Sequence, residues 1–325
     1  MKLNSLRELY VKNNISEAEL NNAIDLLTLL NKQTELDLDV INQDVLDSII
    51  LYLVENDLNT VVNFVVMMRY FRMIDRKDLF IHLTKYTGML GVMENIIKRL
   101  KNFKGTAITE RILGDFVPPA LGTPPNKLPL YVNELMEILD GNLNPTETEK
   151  VLAGNNHSVS KEAMLPEKIE YENAASFEVY LKERHNRKIA ELTKHYEAGT
   201  VWFEQVITKE VIEFVAGNQE ILSGKIENGK LYVTKIPYDT LAYINAEDNI
   251  FKKYYGCHCP FAREAIKEGN LNISERFCYC SAGFAKFPFE VILDQKLKVK
   301  VLESILGDSD ICRFEIDLTE INYKK

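Results

Sequence analysis

At 325 residues, 46% hydrophobic and 27% charged, the chain has apolar material for two modest folded domains and needs no disulfide or metal to hold a core. Its formal charge of −9 excludes the dense cationic face that phosphate binding requires, so no nucleic-acid partner is expected. The opening residues, MKLNSLRELYVKNN, lack a signal-peptide pattern. The most apolar stretch, residues 49–68, is broken by Glu55, Asn56, Asp57, Asn59 and Asn63, so it reads as buried helix, not a membrane span. A cytoplasmic protein with no membrane partner is the expectation.

Ser16 followed by Glu19 forms a capping-box pattern ahead of Leu20, Ile24, Leu27 and Leu30, whose spacing lines one helical face. Further helical runs cover 45–54 and 61–73, and a longer one covers 79–100, where Gly88 and Gly91 bend or break it. Residues 116–130, FVPPALGTPPNKLPL, hold five of the chain's ten prolines. Proline fixes φ and offers no N–H, so this segment reads as an extended linker between a helical domain, 1–115, and a second domain, 131–325.

A helix over YVNELMEILDG closes at Gly141, and a polar loop runs through AGNNHSVSKEAMLP. Residues 176–198 form a charged helix with Ser176 as cap and Gly199 as stop. Beyond Gly217 the period changes to 2. Alternating segments meet at Asn228-Gly229, a strong hairpin signal. SAGFAKFPFEVILDQ is helical in period despite Pro288, and alternating runs on either side of GDSD form a second hairpin. The fold class is α+β, an all-helical N-terminal domain followed by an α+β domain with an antiparallel sheet.

The phosphate loop, the dinucleotide glycine fingerprint, the HExxH zinc helix and the GxSxG elbow do not occur. His185 and His195 lie in a helix full of Lys, Arg and Glu and read as members of a solvated face. His157, in GNNHS, reads as a turn histidine bonded to its own backbone.

The first 256 residues hold no cysteine, and then Cys257, Cys259, Cys278, Cys280 and Cys312 follow closely. In a reducing compartment these are thiols or metal ligands, not structural disulfides. Three explanations compete. Two CxC elements brought together supply Cys257, Cys259, Cys278 and Cys280 to one metal, zinc first and an iron–sulfur cluster second. Alternatively a thiol is reactive: Cys259 stands at the N-cap of a helix opened by Pro260, where the helix start, His258 and Arg263 lower its pKa, and Cys280 precedes SAGF in the same way. The third explanation is packing, with cysteine as a small hydrophobe at a helix–sheet junction.

The tail, CYCSAGF followed by VKVLESILGDSDICRFEIDL, resembles the end of the 4-vinyl reductase domain and of the related L-2-amino-thiazoline-4-carboxylic acid hydrolase family. Those domains run from a cysteine-bearing segment through a helix into a hairpin that closes on a Gly-Asp turn and a Cys-x-Phe strand. Here that ending is Gly307, Asp308, Cys312 and Phe314. The resemblance implies a pocket for a small, partly apolar molecule. It also implies a zinc held by an acidic residue and cysteines, with Glu303 at the acidic position and Leu306 where a further cysteine is expected. Phe284, Phe287, Glu303 and Cys312 are the ligand-binding residues on this reading.

Two functions follow as expectations. One is a sensor-like protein that binds a small molecule near a cysteine-bound metal, its helical domain serving assembly, homo-oligomerisation included, or signalling. The other is a hydrolase of C–N or C–S bonds in small cyclic substrates. In that enzyme Cys280 or Cys259 attacks, His258 moves the proton, and Asp308 or Glu303 orients. An assembly scaffold in which the cysteines only pack ranks third.

Overall fold

Helices α1 (Leu3–Lys12), α2 (Glu17–Thr34), α3 (Gln43–Glu55), α4 (Val61–Met73) and α5 (Lys77–Thr87) form where the sequence carries local start signals. Ser16 Oγ accepts the Glu19 N–H at 3.3 Å and the Glu19 carboxylate accepts the Ser16 N–H, the reciprocal box its sequence predicts. Asn42 and Thr60 cap α3 and α4 through their side chains. The apolar stripes of these helices meet in one core that includes Leu27, Leu30, Ile49, Leu53, Phe64 and Phe71. The structure, a computed structural model, describes residues 1–269 and 271–325.

By its contacts the chain divides into Met1–Leu90 with Pro119–Pro125, and Gly91–Pro118 with Asn126–Lys325. The sequence instead groups 1–115 together and treats 116–130 as linker. The difference has a physical basis. Helix α6 (Val92–Lys104) buries Val92, Met93, Ile96 and Leu100 and is followed by α7 (Thr106–Leu113). The Arg99 guanidinium donates to the carbonyls of Val151 and Lys150 at 2.7 and 2.8 Å, a tie within the second unit. In the proline-rich segment, Gly122 sits at φ +89 against Val54 and Phe64 of the first unit, and Asn59 Nδ2 donates to the Leu121 carbonyl at 2.7 Å. Residues 128–130 are already helical, with Pro129 in the first turn of α8 (Leu128–Asn142).

The second unit continues with α9 (Pro145–Leu152), α10 (Leu165–Asn173) and α11 (Phe177–Ala198), the last capped by Ser176 and stopped by left-handed Gly199. A small hairpin, β1 (Val201–Trp202) and β2 (Gln205–Val206), precedes α12 (Lys209–Ala216). Strands β3 (Lys225–Glu227) and β4 (Lys230–Thr234) flank Asn228-Gly229, both with positive φ. Then come α13 (Thr240–Asn245), α14 (Asn249–Gly256), α15 (Pro260–Glu268), α16 (Cys278–Ile292), β5 (Lys298–Glu303) and β6 (Arg313–Asp317). The sheet order is β3-β4-β6-β5, antiparallel throughout. Leu231 and Val233 of β4 and Phe314 and Ile316 of β6 alternate inward, and Leu231, Val233 and Ile316 join Phe177 and Leu181 of α11 and Phe289 and Ile292 of α16 in one core. The fold is α+β.

His185 does not lie on a solvated face. It is buried, and its Nδ1 lies 3.0 Å from Ser223 Oγ. Among the described residues no helix is long and apolar enough to cross a membrane.

Candidate functional site

Gly256 ends α14 at a place where a β-carbon would lie 2.9 Å from Ile305 Cδ1 and 3.2 Å from the Asp310 carbonyl oxygen. That close approach lays the next loop against the segment before β6. Cys257 follows as the C-cap of α14, and Cys259 is the N-cap of α15 with Pro260 in its first turn. Cys278 and Cys280 occupy the first turn of α16, and Cys312 directly precedes β6. The Lys235 N–H donates to the Cys312 carbonyl at 2.9 Å, and His258 Nε2 donates to the Ile236 carbonyl at 2.6 Å, which draws the end of β4 to the same place. All five cysteines line one cavity of about 50 Å³, together with His157, Lys235, His258 and Ser281. The two CxC elements therefore share a site, but not as two extended pairs. Cys278 and Cys280 are helical, and Cys280 lies inside α16, not ahead of it.

A fourth segment closes the cavity. A β-carbon on Gly283 would lie 2.5 Å from the Gly154 nitrogen and 2.6 Å from the Ala153 carbonyl carbon, so α16 touches the chain after α9 backbone to backbone. In consequence Asn156 Nδ2 donates to Cys280 Sγ at 3.4 Å and the His157 ring stands edge-on to Phe284 at 5.2 Å. Asn156 is fully buried, and its Oδ1 has no hydrogen-bond partner among the described residues.

The thiols rest protonated. Burial, reinforced by Cys312, pushes Cys257 up to about 11, and burial with Cys257, Cys280 and Cys278 holds Cys259 well above its ordinary range. Burial also raises Cys278, Cys280 and Cys312, although the Asn156 amide works against it at Cys280. The lowered pKa expected of Cys259 at a helix start is thus overturned, because desolvation outweighs the helix end. His157 stands at the cavity rim with much of its surface accessible. The atoms packed around its ring, then Lys235, still push it down to about 4. Burial and then Lys235 lower His258 as well.

Sequence reasoning missed Glu204, His157, Asn156 and Lys235. Glu204 Oε2 lies 3.8 Å from His258 Nδ1. Burial alone raises a carboxyl, but His258, Arg263 and Lys235 more than offset it and hold Glu204 below the usual range. Lys235 Nζ donates to Ser281 Oγ at 3.0 Å. The two carboxylates expected to orient His258 are elsewhere. Asp308 is 93% exposed and paired with Lys253, and Glu303 accepts from Ser309 Oγ at 3.0 Å. Of the expected ligand-binding residues, Cys312 lines the cavity and Phe284 touches it through His157, while Phe287 is buried outside the lining.

Among the described residues no group of three or more His, Cys, Asp or Glu side chains is disposed to hold a metal ion. The donors as arranged do not fit zinc or an iron–sulfur cluster, and no step below runs through one. A model of a family of unknown function (DUF6144) matches residues 208–323, a span that holds the cysteines, Lys235 and His258 but neither His157 nor Glu204. No curated protein and no solved structure matches the chain.

Proposed function

We propose that the second unit binds a small molecule in the thiol-lined cavity, as a sensor-like module. One observation carries the reading: cysteines from three separate segments, with two histidines and a lysine, open on one cavity. Packing alone has no need to gather Lys235 and His258 there. A volume of about 50 Å³ suits a ligand of few non-hydrogen atoms, since a single water needs about 10–15 Å³. Phe261, Phe277 and Ile305 supply apolar wall and Lys235 supplies a cation, so the ligand is partly apolar with a polar or negative end. Five unpaired cysteines suit a reducing compartment, and we assign the protein to the cytoplasm.

A second reading, hydrolysis of a C–N or C–S bond in a small cyclic substrate by a cysteine nucleophile, is favoured by one observation. His258 spends Nε2 on the Ile236 carbonyl, which leaves Nδ1 as the nitrogen beside the Glu204 carboxylate.

Size-selective alkylation tests the cavity reading. Iodoacetamide added at a pH of about 9, where a fraction of the raised thiol is ionised, should label Cys259, the cysteine that is only partly buried, in the folded protein. A maleimide bearing a bulky polymer should not. If both reagents fail until the protein unfolds, the cavity admits no small molecule and the reading is lost.

A further inference from the structure

We propose that Lys235 and Ser281 form an anion subsite in the cavity and that the molecule held there is a short-chain monocarboxylate. The proposal rests on the cavity reading above and names the chemical class of its ligand.

The backbone delivers both groups. Lys235 follows β4, and its N–H bond to the Cys312 carbonyl at 2.9 Å ties that strand end to the segment before β6. Ser281 stands in the first turn of α16, where the helix start favours negative charge. Lys235 Nζ donates to Ser281 Oγ at 3.0 Å, so the two side chains meet at the cavity wall that both line. The neighbouring acid on this strand end is already committed. Thr234 N–H donates to the Glu220 carbonyl at 3.1 Å, but the Glu220 carboxylate accepts from Arg313 Nε and Nη2 at 2.7 and 2.8 Å and from Thr234 Oγ1 at 2.7 Å.

Counting donors leaves hydrogens over. An ammonium carries three N–H groups, and the bond to Ser281 uses one. The Phe284 ring, 5.4 Å from Nζ, attracts the charge through its face but is no substitute for an acceptor. Among the described residues no carboxylate forms an ion pair with Lys235, and Glu204 interacts with it only at longer range. Ser281 Oγ accepts from Lys235, and no described residue accepts the Ser281 hydroxyl proton. Both groups therefore have a hydrogen to offer a ligand.

Charge selects the class. The thiols rest protonated, and His157 and His258 are both pushed toward the neutral form. Among the described lining residues Lys235 then carries the one charge. A monoanion leaves the filled cavity neutral, whereas a dianion such as a phosphate ester would bring a second charge that no cation meets. A carboxylate also suits two donors 3.0 Å apart, one oxygen accepting from Nζ and the other from Oγ, each bond strengthened by the charge. Phe277 and Ile305 receive an apolar tail, and the cavity of about 50 Å³ holds about two to four carbons.

The test compares sodium propionate with propionamide, a neutral molecule of nearly the same shape, on the full chain near neutral pH. Ionic strength is matched with sodium chloride, and binding is followed by saturation-transfer NMR of the small molecule. Propionate should bind about tenfold more tightly than propionamide. Lys235→Met should abolish that preference, Lys235→Arg should keep most of it, and Ser281→Ala should weaken propionate by about fivefold. Propionate should also slow iodoacetamide labelling of Cys259, which places it in the same cavity. Fluorescence of the single tryptophan, Trp202, checks that each variant keeps its fold. If Lys235→Met does not fold, the wild-type preference and Ser281→Ala decide.

Equal binding of the acid and the amide, or a propionate preference that survives in Lys235→Met, overturns the subsite and leaves the cavity reading standing. Failure of propionate to bind while iodoacetamide still enters does the same. Exclusion of iodoacetamide from every cavity cysteine of the folded protein overturns both.

Discussion

Gly283 determines whether the cavity has a fourth wall. Its α-carbon is where α16 meets the Ala153–Gly154 backbone, and neither side is a flexible side chain that could yield. G283A should therefore destabilise the protein by about 2 kcal/mol, the scale of overpacking a close contact. The urea midpoint should fall while the slope stays constant, and an unchanged midpoint would count against the contact. Gly283 itself was not legible, since an isolated glycine inside a helical run is tolerated and names no contact. Nor was what it brings together. Asn156 and Cys280 are far apart in sequence, and nothing local in GNNHS says which helix will lie on it. His157 looked like an ordinary turn residue for the same reason. The cysteines were found early because they are rare in this chain and grouped. Glu204 escaped because it is one carboxylate among 48 acidic residues and its value comes from a partner more than fifty positions on.

Among the elements, those that carry their own start and stop chemistry were legible and those that do not were missed. Ser16, Ser176 and Gly199 mark helix ends through short-range hydrogen bonds or left-handed backbone, so α2 and α11 fall where the sequence puts them. Helix α16 begins at Cys278 after Phe277, which offers no side-chain cap, and the sequence gives no sign that Cys280 is helical. The β1–β2 turn uses Phe-Glu where Asn-Gly or Asp-Gly is usual, so that hairpin was invisible. The β3–β4 turn is the opposite case. Asn228 and Gly229 have φ of +51 and +71, and Leu318 N–H donates to the Gly229 carbonyl at 3.1 Å. Gly229→Val should cost about 1–2 kcal/mol, the penalty of a left-handed conformation for a residue with a side chain. Urea unfolding measures it, and a neutral result would mean that the turn relaxes without loss.

Across the whole molecule the α+β class follows from a change of period along the chain, a signal that sums over many residues. The grouping of Gly91–Pro118 with the second unit does not, because it depends on contacts such as Arg99 with Val151 that no periodicity encodes. The ionisable groups of the cavity also have a collective effect on stability. The folded pKa values of His157, about 4, and of His258 lie below the unfolded imidazole value. The unfolded chain therefore takes up protons first, and stability is lost as pH falls below about 6.5. The thiols work in the other direction, since Cys257 at about 11 lies above its unfolded value. The unfolded chain then releases protons first, and stability is lost as pH rises beyond about 9. Urea midpoints measured across pH should show a plateau between these limits. His258→Asn should flatten the acid side, and stability that rises from pH 7 to pH 5 would contradict the lowered pKa values of the two histidines.

Shared access of the cysteines to one cavity is tested most directly by counting labels on the folded chain. Iodoacetamide is added in excess at a pH of about 9, where a fraction of the raised Cys259 thiol is ionised, the modified sites are mapped by mass spectrometry, and the labelled protein is challenged again. A single modification at Cys259 is expected, after which the remaining cavity cysteines are shielded because the adduct occupies their common space. Independent labelling of several cysteines at the rate of exposed thiols, or no labelling before the protein unfolds, would contradict a shared cavity open to small molecules.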